Sequence, residues 1–303
     1  MVASKSQYHF RSNSLPVKPH PLFEQCDEHL RRLGATFGAT SSSSSSISHK
    51  LSGLEDLHDC VEKLLQLPLT QQAFVQGRQE KWVDQMVDGS LRLLDMCSAA
   101  KDAVLHTKEC AREIQSIMRR RRPGAEVGIE SEIRKYFASR KVVKKAIHKA
   151  LAGNSKTGET KSSLCPPNKM NDNVETMALV CALREVEAVT LAVFESLLSF
   201  VCGAKVQAKL SGWSLVSKLM QRKRVGCEEN EMTTANEFEK VDVVLNILMR
   251  QEANKFDHKL HVENVQNELQ NLEFCVQEFE ERLERLFRRL IKTRVSLLNI
   301  LNN

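Results

Sequence analysis

Apolar residues recur at spacings of three and four along most of the chain, which is the period of an amphipathic helix and not of a strand. Leu51, Leu54, Leu57, Val61, Leu64 and Leu65 open the pattern, with Ser52 and Glu55 spaced as a capping box. Pro68 ends this segment, and Thr70 can cap a short turn after it. A long helix is predicted from about Gln79 to Arg121, with Trp82, Met86, Leu94, Cys97, Val104, Ala111, Ile114 and Met118 facing inward. Gly89 lies inside it, and Pro123-Gly124 ends it. Further helices are predicted over 129–151, 173–201 and 211–220. An acidic loop at 227–234 leads to a second capping box, Thr234 with Glu237.

The strongest period lies near the carboxyl end. Val262, Leu269, Val276, Leu283, Leu290 and Leu297 recur every seven residues. Val265, Leu272, Phe279, Leu286, Thr293 and Ile300 do the same, offset by three. This is a six-heptad seam, about 60 Å long at 1.5 Å per residue. It fits one long helix of an intramolecular bundle, or a coiled coil that makes a homodimer. Cys275, Phe287 and Ser296 beside the seam replace the alternating Glu and Lys that set dimer pairing, which favours the bundle. No strand-period segment is bounded by turn residues. The expected fold is all-α: a bundle of long antiparallel helices ending in the heptad-patterned one.

Composition agrees. Of 303 residues only 12 are Gly and 7 Pro, so connections are few, and 42% are hydrophobic, enough for a sizeable core. Residues 1–47 are expected to form a disordered, basic and Ser-rich tail. Within it a short helix over 21–33 carries Leu22, Cys26, Leu30 and Leu33 on one side, with Gly34 as its C′ residue. Ser41 to Ser46 read as a flexible linker. The helical domain is expected over 48–303, with a linker at 152–172 where Gly, Pro, Ser, Thr and Lys gather.

Charge changes the picture locally. The net charge is +6, yet residues 119–149 alone carry eleven Lys/Arg against three Glu. Arg134, Lys141, Lys145 and Lys149 fall on one side of the 129–151 helix; Tyr136, Val143, Ile147 and Ala150 fall on the other. With Arg119, Arg120, Arg121 and Arg122 they make a candidate surface for an anionic partner. Nuclear import, adsorption to anionic lipid and nucleic-acid contact all fit basic clusters, as does a solvated face. Nucleic acid is disfavoured, because no zinc-finger, basic-zipper or RNA-platform pattern accompanies the charge.

No reaction chemistry is specified. The nine cysteines are scattered without a Cys-x-x-Cys, which points to reduced thiols in an intracellular protein and away from a disulfide framework or zinc site. His258 and His261 lack a neighbouring ligand set; no phosphate-cradling Gly-rich loop and no Gly-x-Ser-x-Gly is present. The expectation is a non-enzymatic protein with no cofactor. Val180 to Val201 is the most apolar stretch, but Arg184, Glu185, Glu187 and Glu195 argue against a membrane span. No apolar run follows Lys5 and Arg11, so a secretory leader is not expected. A cytoplasmic, membrane-peripheral or nuclear location is. Arg11-Ser12-Asn13-Ser14-Leu15-Pro16 fits the pattern read by 14-3-3 proteins, with Ser14 phosphorylated.

Several stretches resemble a plant-specific family, the Bypass-related proteins. They include Lys50-Leu51-Ser52-Gly53-Leu54, Leu64-Leu65-Gln66-Leu67-Pro68-Leu69-Thr70-Gln71-Gln72 and Asp88-Gly89-Ser90-Leu91-Arg92-Leu93-Leu94-Asp95. Ser139-Arg140-Lys141-Val142-Val143-Lys144-Lys145 and the closing Leu286-Phe287-Arg288-Arg289-Leu290-Ile291-Lys292-Thr293-Arg294-Val295-Ser296-Leu297-Leu298-Asn299 complete the likeness. The N-terminal Arg-Ser-x-Ser-Leu-Pro and the serine run also look like that family. The resemblance implies a role in root and shoot development, restraint of a root-derived mobile signal, and no established active site. The expected partners are proteins that dock on helical surfaces.

Overall fold

The seven-residue rhythm becomes the longest helix. The structure, a computed structural model, describes residues 20–37, 43–120, 126–157, 174–203, 235–250 and 255–302. Among them are eight helices: α1 (Pro21–Phe37), α2 (Ser44–Leu65), α3 (Pro68–Gln76), α4 (Lys81–Arg119), α5 (Glu126–Thr157), α6 (Val174–Cys202), α7 (Glu237–Arg250) and α8 (Lys255–Asn302). Strands are absent from the described residues. The 48 residues of α8 span about 72 Å. Eleven of its twelve seam positions are buried and Val262 is half-buried, all within one chain. The seam is therefore occupied by the protein's own helices.

Helix α8 packs against both α4 and α2, and α6 packs against the same two from the opposite side. The result is a four-helix core with α2 and α4 on one diagonal and α6 and α8 on the other. Ion pairs set the directions. On α2, Glu55 accepts from Arg285 at 2.9 Å, Asp59 pairs with Arg289, and Glu62 lies 3.9 Å from Lys292; both numberings rise together, so α2 and α8 are parallel. On α4, Lys101 meets Glu284 at 2.6 Å, Lys108 meets Glu280, and Arg112 meets Glu273 at 2.9 Å. Here one numbering rises as the other falls, so α4 and α8 are antiparallel. Thus α8 offers acids to α4 between Glu273 and Glu284 and bases to α2 between Arg282 and Lys292.

The other helices cover this core. Cys26, Leu30 and Leu33 of α1 are buried against α2 and α6. Helix α5 lies on α4, and α7 bridges α5 and α8. Phe200 meets Phe238 and Phe279 edge-on at 5.8 and 5.9 Å, joining α6, α7 and α8.

Several boundaries differ from the sequence reading. Helix α1 runs through Gly34 to Phe37, because Thr36 returns a hydrogen bond to Leu33 and no positive φ is adopted. The second half of the serine run is helical: Ser43 caps α2 by accepting from the Ser46 amide at 3.2 Å, and Ile47 and Ser48 are buried. Ser52 and Glu55 therefore lie inside α2, where Glu55 binds Arg285 instead of capping. The box before α7 is built by Asn236 and Glu239, each side chain accepting from the other's amide, at 2.9 and 3.2 Å. Glu237 instead accepts from the Ser44 hydroxyl at 2.6 Å. Helix α5 continues to Thr157, into the stretch expected as a linker. Thr234, Pro123-Gly124, the 211–220 helix, the 227–234 loop and residues 158–172 lie outside the described residues.

Candidate functional site

Helix α5 owes its orientation to one apolar stripe. Ile129, Ile133, Tyr136, Val143, Ile147 and Leu151 are buried, and Cys110 of α4 donates to Ser139 Oγ at 3.0 Å, which sets the register of the pair. The opposite side must then face solvent. Lys141, Lys145 and Lys149 are exposed there in a row of i, i+4, i+8, and none has a carboxylate partner among the described residues. Every other Lys and Arg of this helix up to Leu151 has a carboxylate partner. Arg134 pairs with Glu130 at 2.5 Å and Lys135 with Glu132 at 2.5 Å.

Two cations face inward and build a feature that the sequence reading missed. Arg140, only 3% exposed, donates from Nε and Nη2 to the Asp242 carboxylate of α7 at 3.2 and 3.3 Å. The Tyr136 hydroxyl donates to the same carboxylate at 3.0 Å, and Lys144 reaches it at 3.2 Å. The Arg140 guanidinium also stacks over Phe238, 5.4 Å from the ring centre. Burial pushes the Tyr136 phenol well above its ordinary range, and Asp242 pushes it further, so it stays a donor. Burial disfavours the Arg140 charge, but Asp242 and Tyr136 outweigh it. The available signal was angular: Arg140 falls on the same side of α5 as Tyr136, Val143 and Ile147.

The predicted cationic surface is therefore divided. Arg119 and Arg120 line a shallow cleft with Arg112, Gln115, Ser116 and Glu273 at the end of α4. From the Cys110–Ser139 contact they sit about 14 Å along the axis, away from the lysine row. Arg121, Arg122 and Ser14 lie outside the described residues.

The most buried thiols and the buried histidine are held in their neutral forms. Burial pushes the thiols of Cys26 and Cys97 up to about 12, which suppresses the nucleophilic thiolate. Thr190 gives its hydroxyl proton to Val186 O at 2.7 Å, so His58 Nε2, 3.0 Å away, must be the donor to Thr190 Oγ1. Its Nδ1 is left buried without a partner, and burial, aided by Arg289, pushes the ring down to about 4. That is a neutral core histidine. Among the described residues no His, Cys, Asp and Glu gather as a metal site, and no helix is long and apolar enough to cross a membrane.

The stretches that carried the resemblance have structural work. Around Gly89, a Cβ would sit 2.6 Å from the Glu187 carboxylate, which Arg92 binds at 2.5 Å. Ser90 Oγ and Val87 O accept from Arg294 at 2.8 and 2.7 Å. The segment 88–95 thus ties α4 to α6 and to the closing turns of α8. The family model described as Protein BPS1 matches residues 50–300, spanning these segments. The chain belongs to the BPS1, or Bypass-related, family. Family membership links it to plant development. No curated protein and no solved structure matches it.

Proposed function

We propose that this BPS1-family chain is a non-enzymatic docking protein of root and shoot development, which helps to restrain a root-derived mobile signal by binding an anionic partner through α5. The observation that carries the reading is the unpaired lysine row Lys141, Lys145, Lys149, on a helix whose other described cations are paired with carboxylates. Those lysines are not needed to hold α5 in place, so they are available to a partner. Phosphorylated Ser14 is a second proposed contact, for a 14-3-3 protein.

Adsorption to anionic lipid is the alternative use of the same row. Each Lys near such a surface contributes about 1 kcal/mol, so three give roughly 3 kcal/mol, a reversible attachment at best. That magnitude favours a protein partner with apolar contacts of its own.

The test is a Lys141→Glu/Lys145→Glu/Lys149→Glu variant that leaves Lys144 on Asp242. Expressed in plants lacking the gene, it is expected to fold with wild-type helicity and fail to restore shoot growth. Full restoration refutes the docking reading. Flotation of the wild-type chain with phosphatidylserine vesicles at low and high salt tests the lipid alternative, since electrostatic adsorption fades as salt rises.

A further inference from the structure

The outer face of α5 carries more than charge. Beside the lysine row runs a second i, i+4, i+8 row, Ala138, Val142 and Ala146, exposed along its whole length. Val142 is 63% exposed, among the most exposed large apolar side chains described. The two rows follow neighbouring ridges of the helix, offset by three residues. Each spans about 12 Å. Alanines on either side of Val142 leave room for another backbone to approach to the 8–10 Å typical of packed helices. The lysine stems can flank that contact while their ammonium groups stay at its rim.

The charge is also bounded. Toward the amino end of α5, Arg134 and Lys135 are neutralised by Glu130 and Glu132, so the unpaired cations form a short line and not a sheet. A membrane surface is recognised by a spread of positive charge with Trp, Phe or Leu set to insert. This face has a single Val between alanines. A line of cations beside a narrow apolar ridge is the complement of one amphipathic helix.

Building on the docking reading above, we infer that α5 binds an acidic amphipathic helix of a partner protein. Its Glu or Asp residues, at i, i+4 and i+8, meet Lys141, Lys145 and Lys149, while an adjacent apolar row packs on Val142.

Two fluorescent synthetic helical peptides of identical composition test this on the full chain. One has Glu at i, i+4 and i+8 beside a Leu/Ala row; the other has the same residues scattered. The ordered peptide is expected to bind roughly tenfold more tightly, and Lys141→Glu/Lys145→Glu/Lys149→Glu to remove that advantage. Val142→Ser, which removes the apolar contact and leaves the charge unchanged, is expected to weaken the ordered peptide by about fivefold at unchanged helicity, an effect that charge attraction alone would not produce. Equal binding of both peptides, or indifference to Val142→Ser, overturns the inference. Capture by phosphatidylserine vesicles with no binding of the ordered peptide overturns it too, while leaving anionic docking standing. Binding to neither probe counts against both readings.

Discussion

Asp242→Ala should be the most damaging single change outside the apolar core. Arg140 is buried, and among the described residues every hydrogen bond that its guanidinium makes ends on Asp242. Its Nη1 already lacks a partner, so no spare acceptor is at hand. Removing one member of a buried pair costs about 3–5 kcal/mol, because the remaining charge has neither water nor a counterion. The Tyr136 hydroxyl loses its acceptor as well, though the two losses share one cause and do not add. Lys144 contributes little, since its side chain is about a third exposed and can turn to solvent. The expected cost is about 4 kcal/mol, a third or more of the stability of a typical domain. Urea unfolding followed by helical circular dichroism measures it. Adding Arg140→Met to Asp242→Ala should recover much of the loss, because the stranded charge is then gone. A single variant within about 1 kcal/mol of wild type, or a double variant no more stable than the single, would refute the account.

Other expectations follow from the same geometry. His58 is neutral in the folded chain, with its pKa lowered from 6.5 to about 4, so the unfolded chain binds the extra proton first. Stability should therefore fall as pH drops from about 6.5 toward 4, by roughly 3 kcal/mol in total, and His58→Gln should flatten that slope in denaturant titrations. An unchanged slope would count against the burial argument. Gly203 closes α6 at φ +92°, where a Cβ would lie 2.9 Å from the Glu239 carboxylate. Gly203→Ala should lower stability by about 1–2 kcal/mol, read as a drop in melting temperature. Leu283 is fully buried on the seam, and Leu283→Ala should cost about 2–5 kcal/mol. Because the seam is filled within one chain, that cost should not vary with protein concentration; a concentration-dependent midpoint would favour a dimer.

The candidate surface was legible in part. Lys141, Lys145 and Lys149 were placed outward by period alone, since Tyr136, Val143 and Ile147 on the other side had to be buried. Arg119 and Arg120 were grouped with them by closeness in sequence, yet the hairpin of α4 and α5 sets them at one end of the bundle, away from the row. Lys144, one of the eleven Lys/Arg of 119–149, is drawn to Asp242 of α7, a partner its neighbours in sequence do not reveal.

Residue spacing alone makes the chain helical and sets where most of the long helices run and which side of each is apolar. These properties depend on residues three, four and seven apart, and the backbone period converts such spacings directly into faces. What each face meets is set by how the helices pack in three dimensions. That packing put the seam of α8 against α2 and α4, and it joined Arg140 to Asp242 across 102 residues of chain. On α5 it also separated the cations paired with carboxylates from Lys141, Lys145 and Lys149, which have no such partner among the described residues. Pairing depends on distance in space, and no local period encodes which distant carboxylate will arrive.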